Sequence, residues 1–149
     1  MLEQTLIILK PDCLEREIVS KVTSKLLEKG TIKKMSYLRV TNDKILKHYE
    51  ENLKNCPIDI THRISNYFVN KQVIVIILEG KDICKKMRDL IGASDPENAE
   101  VGTIRHDFGI DSYDKALSEK RSCENIIHAS DNPKEFRREY SIWFPKEDK

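Results

Sequence analysis

Apolar positions follow two rhythms along the chain. Residues 5–9 and 73–78 are continuous apolar runs, each too short for a helix of its own. Runs of this kind read as buried strands, and the second reads as a central strand of its sheet. Lys10-Pro11-Asp12 ends the first run, because proline has no N–H to give to a ladder. Residues 32–40 alternate loosely and predict a half-exposed second strand. Helical spacing appears within residues 17–29, at positions 18, 19, 22, 26 and 27, before Gly30 as a C-terminal cap. Thr41-Asn42-Asp43 supplies an N-cap for a helix marked by Ile45, Leu46, Tyr49 and Leu53. Pro57 opens another, with Ile60, Ile64, Tyr67 and Phe68 on one stripe, and the two predict a helical hairpin. Residues 82–91 predict a further amphipathic helix closed by Gly92.

The remainder is less regular. Residues 93–102 carry Asp95-Pro96 and no period, which predicts a long loop, a class more often functional than idle. Residues 103–108 read as short and irregular, and 111–123 as weakly helical around Tyr113, Ala116 and Leu117. Ile126-Ile127 predicts a short buried strand. Asn132-Pro133 opens a last helix to about Tyr140, packed down by Trp143, Phe144 and Pro145, and residues 146–149 read as frayed. Strands alternate with helices, but neither GxGxxG nor GxxxxGK[ST] occurs, so the dinucleotide-fold and P-loop readings lose their fingerprint. An α+β architecture with helices on one face of an antiparallel sheet fits better.

Composition narrows the field. The 149 residues read as one domain, long enough to bury a core without staples. A net charge of +1 excludes a global field for nucleic acid or anionic membranes, and 7% aromatics is too few for a basic stripe interleaved with aromatics. The apolar runs are far too short to span a bilayer. Met1-Leu2-Glu3-Gln4 lacks the basic start of a secretory leader, so a cytoplasmic location is expected. Cysteines at 13, 56, 84 and 123 form no CxxC clip, which disfavours a zinc knuckle and predicts free thiols.

Asn125-Ile126-Ile127-His128-Ala129-Ser130-Asp131 sets one histidine between an apolar pair and a small polar turn. Such a histidine is either a hydrogen-bonded core residue or a nucleophile or base, since neutral imidazole is available near pH 7 with a reference pKa of about 6.5. Lys10, Arg88 and Arg105 each lie beside a rigid element; converging on one cleft they would grip a polyphosphate, and apart they are ordinary surface charges. Glu139, in the last helix, either orients the His128 ring or belongs to a solvated face. His48 and His62 read as exposed. His106 reads as a surface residue or an anion contact, and Tyr49 as core packing or a pocket rim. No carboxylate cluster has metal-ligand spacing, so magnesium, if used, arrives with a nucleotide.

Together these stretches resemble the nucleoside diphosphate kinase family. Residues 5–12 resemble its first strand with its lysine, Gly102-Thr103-Ile104-Arg105 with Asp107-Phe108 a second block, and residues 125–131 the active-site signature. Trp143-Phe144 also fits, and the similarity runs over residues 4–145. The resemblance implies a ferredoxin-like, four-stranded antiparallel sheet covered by helices. It implies γ-phosphoryl transfer from a nucleoside triphosphate, typically ATP, to a nucleoside diphosphate, in ping-pong steps through a phosphohistidine on His128. Lys10 and Asn125 would contact phosphates and sugar, Arg88 and Arg105 the terminal phosphates, and Ser94 would stand in for a phosphate-bonding threonine. Tyr49 would lie near the transferred group, and Ser130 and Glu139 behind the histidine. Homo-oligomers, hexamers foremost, are the family habit.

Three departures accompany it. Ile58 stands where the family has a base-stacking phenylalanine, His106 replaces a glycine, and residues 111–124 read as an insert. A catalytically silent nucleotide-binding protein on the same fold is the competing reading. Loss of the histidine, the lysine or the arginines would favour it, and all are present.

Overall fold

The computed structural model describes residues 2–145. Strand β1 (Leu2–Leu9) runs into α1 (Pro11–Glu15) and α2 (Val19–Leu27), and β2 (Thr31–Arg39) follows. Next come α3 (Asn42–His48), the single turn α4 (Glu50–Leu53) and α5 (Ile58–Phe68), then β3 (Gln72–Lys81) and α6 (Ile83–Ile91). A 3-10 turn at Pro96–Asn98 leads to α7 (Ile104–Phe108), α8 (Tyr113–Ser118), β4 (Ile127–Ala129) and α9 (Pro133–Trp143). The strands form one four-stranded sheet of order β2-β3-β1-β4, antiparallel at every pairing. This is the sheet expected, with the longest apolar run beside β1 at its centre.

Helices cover both faces of the sheet rather than one. Ile7, Leu9, Ile76 and Leu78 pack against Cys13 of α1, Val22 and Leu26 of α2, Met87 of α6 and Ile104 of α7. Leu6, Ile8, Val75 and Ile77 pack against Ile45 of α3, Phe68 of α5 and Trp143 of α9. Side chains alternate along a strand, so a run apolar at every position has two faces to bury. Each fully buried Leu or Ile contributes about 1.5–3 kcal/mol.

Other expectations are corrected locally. Pro11 both ends β1 and occupies the first turn of α1, where its missing N–H costs nothing. Residues 104–108, expected to be irregular, form α7, with the Thr103 hydroxyl accepting from His106 N at 3.2 Å. That helix buries one apolar residue, Ile104, too few to reveal a period. The last helix continues through Trp143, one turn beyond the expected end. The segment expected to fray, 146–149, lies outside the described residues. Among the described residues no helix is long and apolar enough to cross a membrane.

Candidate active site

Register carries the candidate nucleophile to one face. His128 on β4 pairs with Ile8 of β1, and Ile8 packs toward α3, α5 and α9. His128 therefore meets α9. Its Nε2 lies 3.0 Å from Glu139 Oε1, and the Ser130 hydroxyl donates to the same oxygen at 2.6 Å. Ser130 Oγ in turn accepts from Leu6 N at 3.1 Å, tying the carboxylate to the centre of the sheet. A carboxylate accepting at Nε2–H leaves the Nδ1 lone pair as the ring's nucleophilic position. Burial, and then the nearby Lys10 charge, lower the His128 pKa to about 3. The side chain is still 21% exposed and borders a cleft, so a neutral imidazole is available there at physiological pH.

His48 corrects an expectation. It is buried, 3% exposed, with its ring centroid 4.5 Å from that of His128 in an edge-to-face arrangement. Trp143 Nε1 donates to His48 Nδ1 at 3.1 Å, which fixes the proton on Nε2. Burial foremost, then His128, holds the His48 pKa well below the usual range. The reason lies in tertiary packing: Arg138 of α9 donates to Lys47 O and His48 O at 3.1 and 3.0 Å and clamps the end of α3 against α9. Tyr49 then packs beside His48 on the cleft wall, while His62 is exposed as expected.

Lys10 follows the end of β1 and is 6% exposed. Its Nζ donates to Asn125 Oδ1 at 2.6 Å and lies 5.9 Å from the ring centroids of both Tyr67 and Phe68. Asn125 Nδ2 donates to Ser94 O at 2.8 Å, so Ser94 enters the site first through its backbone. The next residue, Ile126, has φ +77°, an outlier for a β-branched side chain. It is the centre of a turn in which Ile127 N donates to Asn125 O at 2.8 Å. Strain of this kind costs on the order of 1–3 kcal/mol and persists only where surroundings enforce it. Here Ile126 N donates to Asp12 Oδ2 at 3.1 Å, and Tyr67 OH donates to Asp12 Oδ1. Asp12 and Tyr67, unassigned from sequence, thus hold the bend that turns Asn125 toward Lys10. Tyr67 sits on an apolar helical stripe and reads as core; only the burial of Asp12 marks the pair.

Arg105 of α7 donates three bonds to backbone carbonyls: Nε to Asn125 O at 3.1 Å, Nη1 to Gly92 O at 3.2 Å and Nη2 to Ile127 O at 2.5 Å. A guanidinium has about five N–H donors, so roughly two remain, with the full charge, for an anion. Arg88 of α6 is exposed, and its Nη2 reaches Asp131 O at 2.8 Å. Both arginines, Lys10, Ser94, Asn125 and His128 border one cleft of about 930 Å³. The predicted cations therefore converge. Ile58 does not border the cleft with them: it opens α5 and is 69% exposed, while Ile60 lines the wall. His106 pairs with its neighbour Asp107 at 2.9 Å.

Ligand atoms of His48, His128 and Glu139 lie within 4.8 Å of one another. His48 Nδ1 is taken by Trp143, and Glu139 Oε1 by His128 and Ser130, so hydrogen bonds already account for the cluster. Magnesium prefers oxygen ligands and substrate phosphates. The cations gathered here suit a metal that arrives on such phosphates better than one caged by the protein.

Comparison with known proteins gives a concordant result. The sequence profile of the family described as "Nucleoside diphosphate kinase" matches residues 3–149. A nucleoside diphosphate kinase of Clostridium perfringens (strain SM101 / Type A) is 36% identical over 146 residues, 97% of this chain and 93% of that protein. One from Pyrococcus horikoshii is 33% identical, covering 98% of this chain and 87% of the relative. Among solved structures, a nucleoside-diphosphate kinase from Borrelia burgdorferi, a transition-state mimic with bound vanadate and ADP, superposes with a TM-score of 0.91 at 30% identity. That match covers 98% of this chain and 89% of the other. An NDP kinase from Pyrobaculum aerophilum matches with a TM-score of 0.85 at 29% identity, over 99% and 98% of the two chains. With a profile match over nearly its whole length and relatives above 30% identity, this chain belongs to the nucleoside diphosphate kinase family.

Proposed function

We propose that this chain is an active nucleoside diphosphate kinase that passes a phosphoryl group through His128. One observation carries the reading: a neutral, carboxylate-oriented imidazole borders the same cleft as Lys10, Arg88 and Arg105. In the first half-reaction His128 Nδ1 attacks the γ-phosphorus of a nucleoside triphosphate. The N–P bond forms, the bond to the β–γ bridging oxygen breaks, and the diphosphate leaves with that electron pair. A second diphosphate attacks the phosphohistidine from the same side and restores the neutral ring. The Glu139 carboxylate stabilises the positive charge that the imidazole acquires, and Ser130 keeps that carboxylate in place.

Lys10 and the remaining donors of Arg105 meet the charge on the moving group, Arg88 reaches the same end from α6, and Asn125 and Ser94 border the sugar–phosphate path. Tyr49 limits the space around the transferred group. Magnesium, carried on the nucleotide phosphates, would supply further charge neutralisation. Residues 1–149 act as one domain with 111–124 as an insert, in a cytoplasmic homo-oligomer, a hexamer by family habit. Initial velocities with ATP and a second nucleoside diphosphate test the kinetic half of this reading. We expect parallel double-reciprocal lines and loss of at least ~1000-fold in kcat for His128→Gln. Intersecting lines, or a variant of near wild-type rate, would remove His128 from the covalent path.

A further inference from the structure

His48 is a buried titratable ring beside the candidate nucleophile, and one of its nitrogens is unaccounted for. It ends α3, lies 4.5 Å from His128 between ring centroids, and lines the same cleft. Two bonds hold it. Arg138 donates to the His48 carbonyl at 3.0 Å and fixes the backbone, and Trp143 Nε1 donates to Nδ1 at 3.1 Å and fixes the ring. A nitrogen that accepts from an indole N–H carries no proton, so the neutral ring keeps its proton on Nε2. Among the described residues nothing accepts from that N–H, yet no fully buried side-chain nitrogen or oxygen is without a partner. The Nε2–H therefore reaches accessible surface, and the surface that His48 borders is the cleft wall. Glu139 does not take it: Oε1 accepts from His128 and Ser130, and Oε2 faces Arg138 at 3.9 Å.

An N–H on a ring only 3% exposed is costly to leave unmet, and Lys10, Arg88 and Arg105 suit this cleft to anionic oxygens. The charge state of His48 suits the place as well. A phosphorylated His128 ring is cationic, and a second cation 4.5 Å away would oppose that charge. Burial foremost, then His128, keep His48 neutral, so it gives a hydrogen bond without adding a charge. We infer that His48 is a further catalytic residue, whose Nε2–H donates to a non-bridging oxygen of the phosphoryl group as it passes to and from His128 Nδ1. This rests on the kinase reading and adds a donor to it. No proton moves: the N–P bond forms in one half-reaction and breaks in the other, and His48 keeps its hydrogen in both. Fixed beforehand by Trp143 and Arg138, the donor needs no rearrangement as charge shifts, the condition under which such donors act most strongly.

Rapid-quench measurement of a single phosphorylation of the whole protein by ATP and magnesium tests this, with two variants that separate donor from ring. His48→Phe keeps an aromatic ring and has no N–H. His48→Gln has no ring but sets an amide N–H near the place of Nε2. Removing a donor to a developing oxyanion costs on the order of 100-fold or more; phosphoryl oxygens gain less charge, and Lys10 and Arg105 share it. For His48→Phe we therefore expect phosphate to reach His128 at least ~10-fold more slowly, with ADP affinity within about threefold of wild type. His48→Gln should be the faster of the two variants. A smaller loss in His48→Phe, a parallel fall in its ADP affinity, or a glutamine variant no faster than it would make His48 a packing residue and overturn the assignment. Should a variant fail to fold, nitrogen magnetic resonance of the histidine rings in wild-type protein decides. Phosphorylation of His128 should move the His48 Nε2 signal and leave Nδ1, bonded to Trp143, near its place; an unmoved Nε2 would overturn the assignment equally. Failure of the kinase reading itself shows differently, as absence of phosphate on His128 in wild-type protein given ATP.

Discussion

At Lys10 an ammonium group lies beside Arg105 and donates a hydrogen bond to Asn125 Oδ1 at 2.6 Å, and burial first, Arg105 second, bring its pKa down to about 7. Below that value the side chain is charged and ready for a phosphate; above it, increasingly neutral. A bound phosphate favours the charged form, so binding at about pH 8 draws a proton from solvent. We expect ADP titrations at that pH, in two buffers of different ionisation heat, to report proton uptake that disappears in Lys10→Met. Equal heats in both buffers for wild type would contradict this. His128 behaves oppositely: with its pKa lowered it stays neutral across the same range, so the proposed nucleophile would not itself limit activity there. Lys10, Arg105, Asn125 and His128 were legible because each lies in or beside a short, distinctive run. His48 was not. Its burial depends on Trp143 and Arg138, more than 85 residues away in sequence, and its own neighbours in the chain are polar.

Elements set where those residues meet. The continuous apolar runs of β1 and β3 predict strands; their lack of alternation also carries the burial of both faces, which the expectation of helices on one face did not use. Helix α7 escaped notice because five residues with one buried side chain carry no period. Its placement rests on Gly92, which has φ +89° and whose carbonyl accepts from Arg105. A Cβ there would lie 2.6 Å from Thr103 Oγ1, the hydroxyl that caps α7. Gly92→Ala should therefore cost about 1–3 kcal/mol of stability, from backbone strain plus displacement of the cap. Urea midpoints measure the cost, and a parallel loss of pyrophosphate affinity would trace it to Arg105. A midpoint equal to wild type would show that Thr103 moves aside freely.

Across the whole molecule the charges nearly cancel, at +1, yet cations from residues 10, 88 and 105 border one cleft. Nothing in their spacing along the chain shows this. The antiparallel sheet does it, by placing the end of β1 beside the start of β4 and carrying α6 and α7 to the same edge. Residues 111–124 read as extra length against the family pattern, but the bonds from Arg121 to Asp111 follow from a fold-back that residue spacing does not encode. The most direct test of phosphoryl transfer through His128 is to mix the protein with ATP and magnesium, remove free nucleotide, and map the modification by mass spectrometry. We expect an acid-labile phosphate on His128 that added GDP discharges as GTP. An unmodified His128 in protein that still binds ATP, or phosphate on another residue, would contradict it.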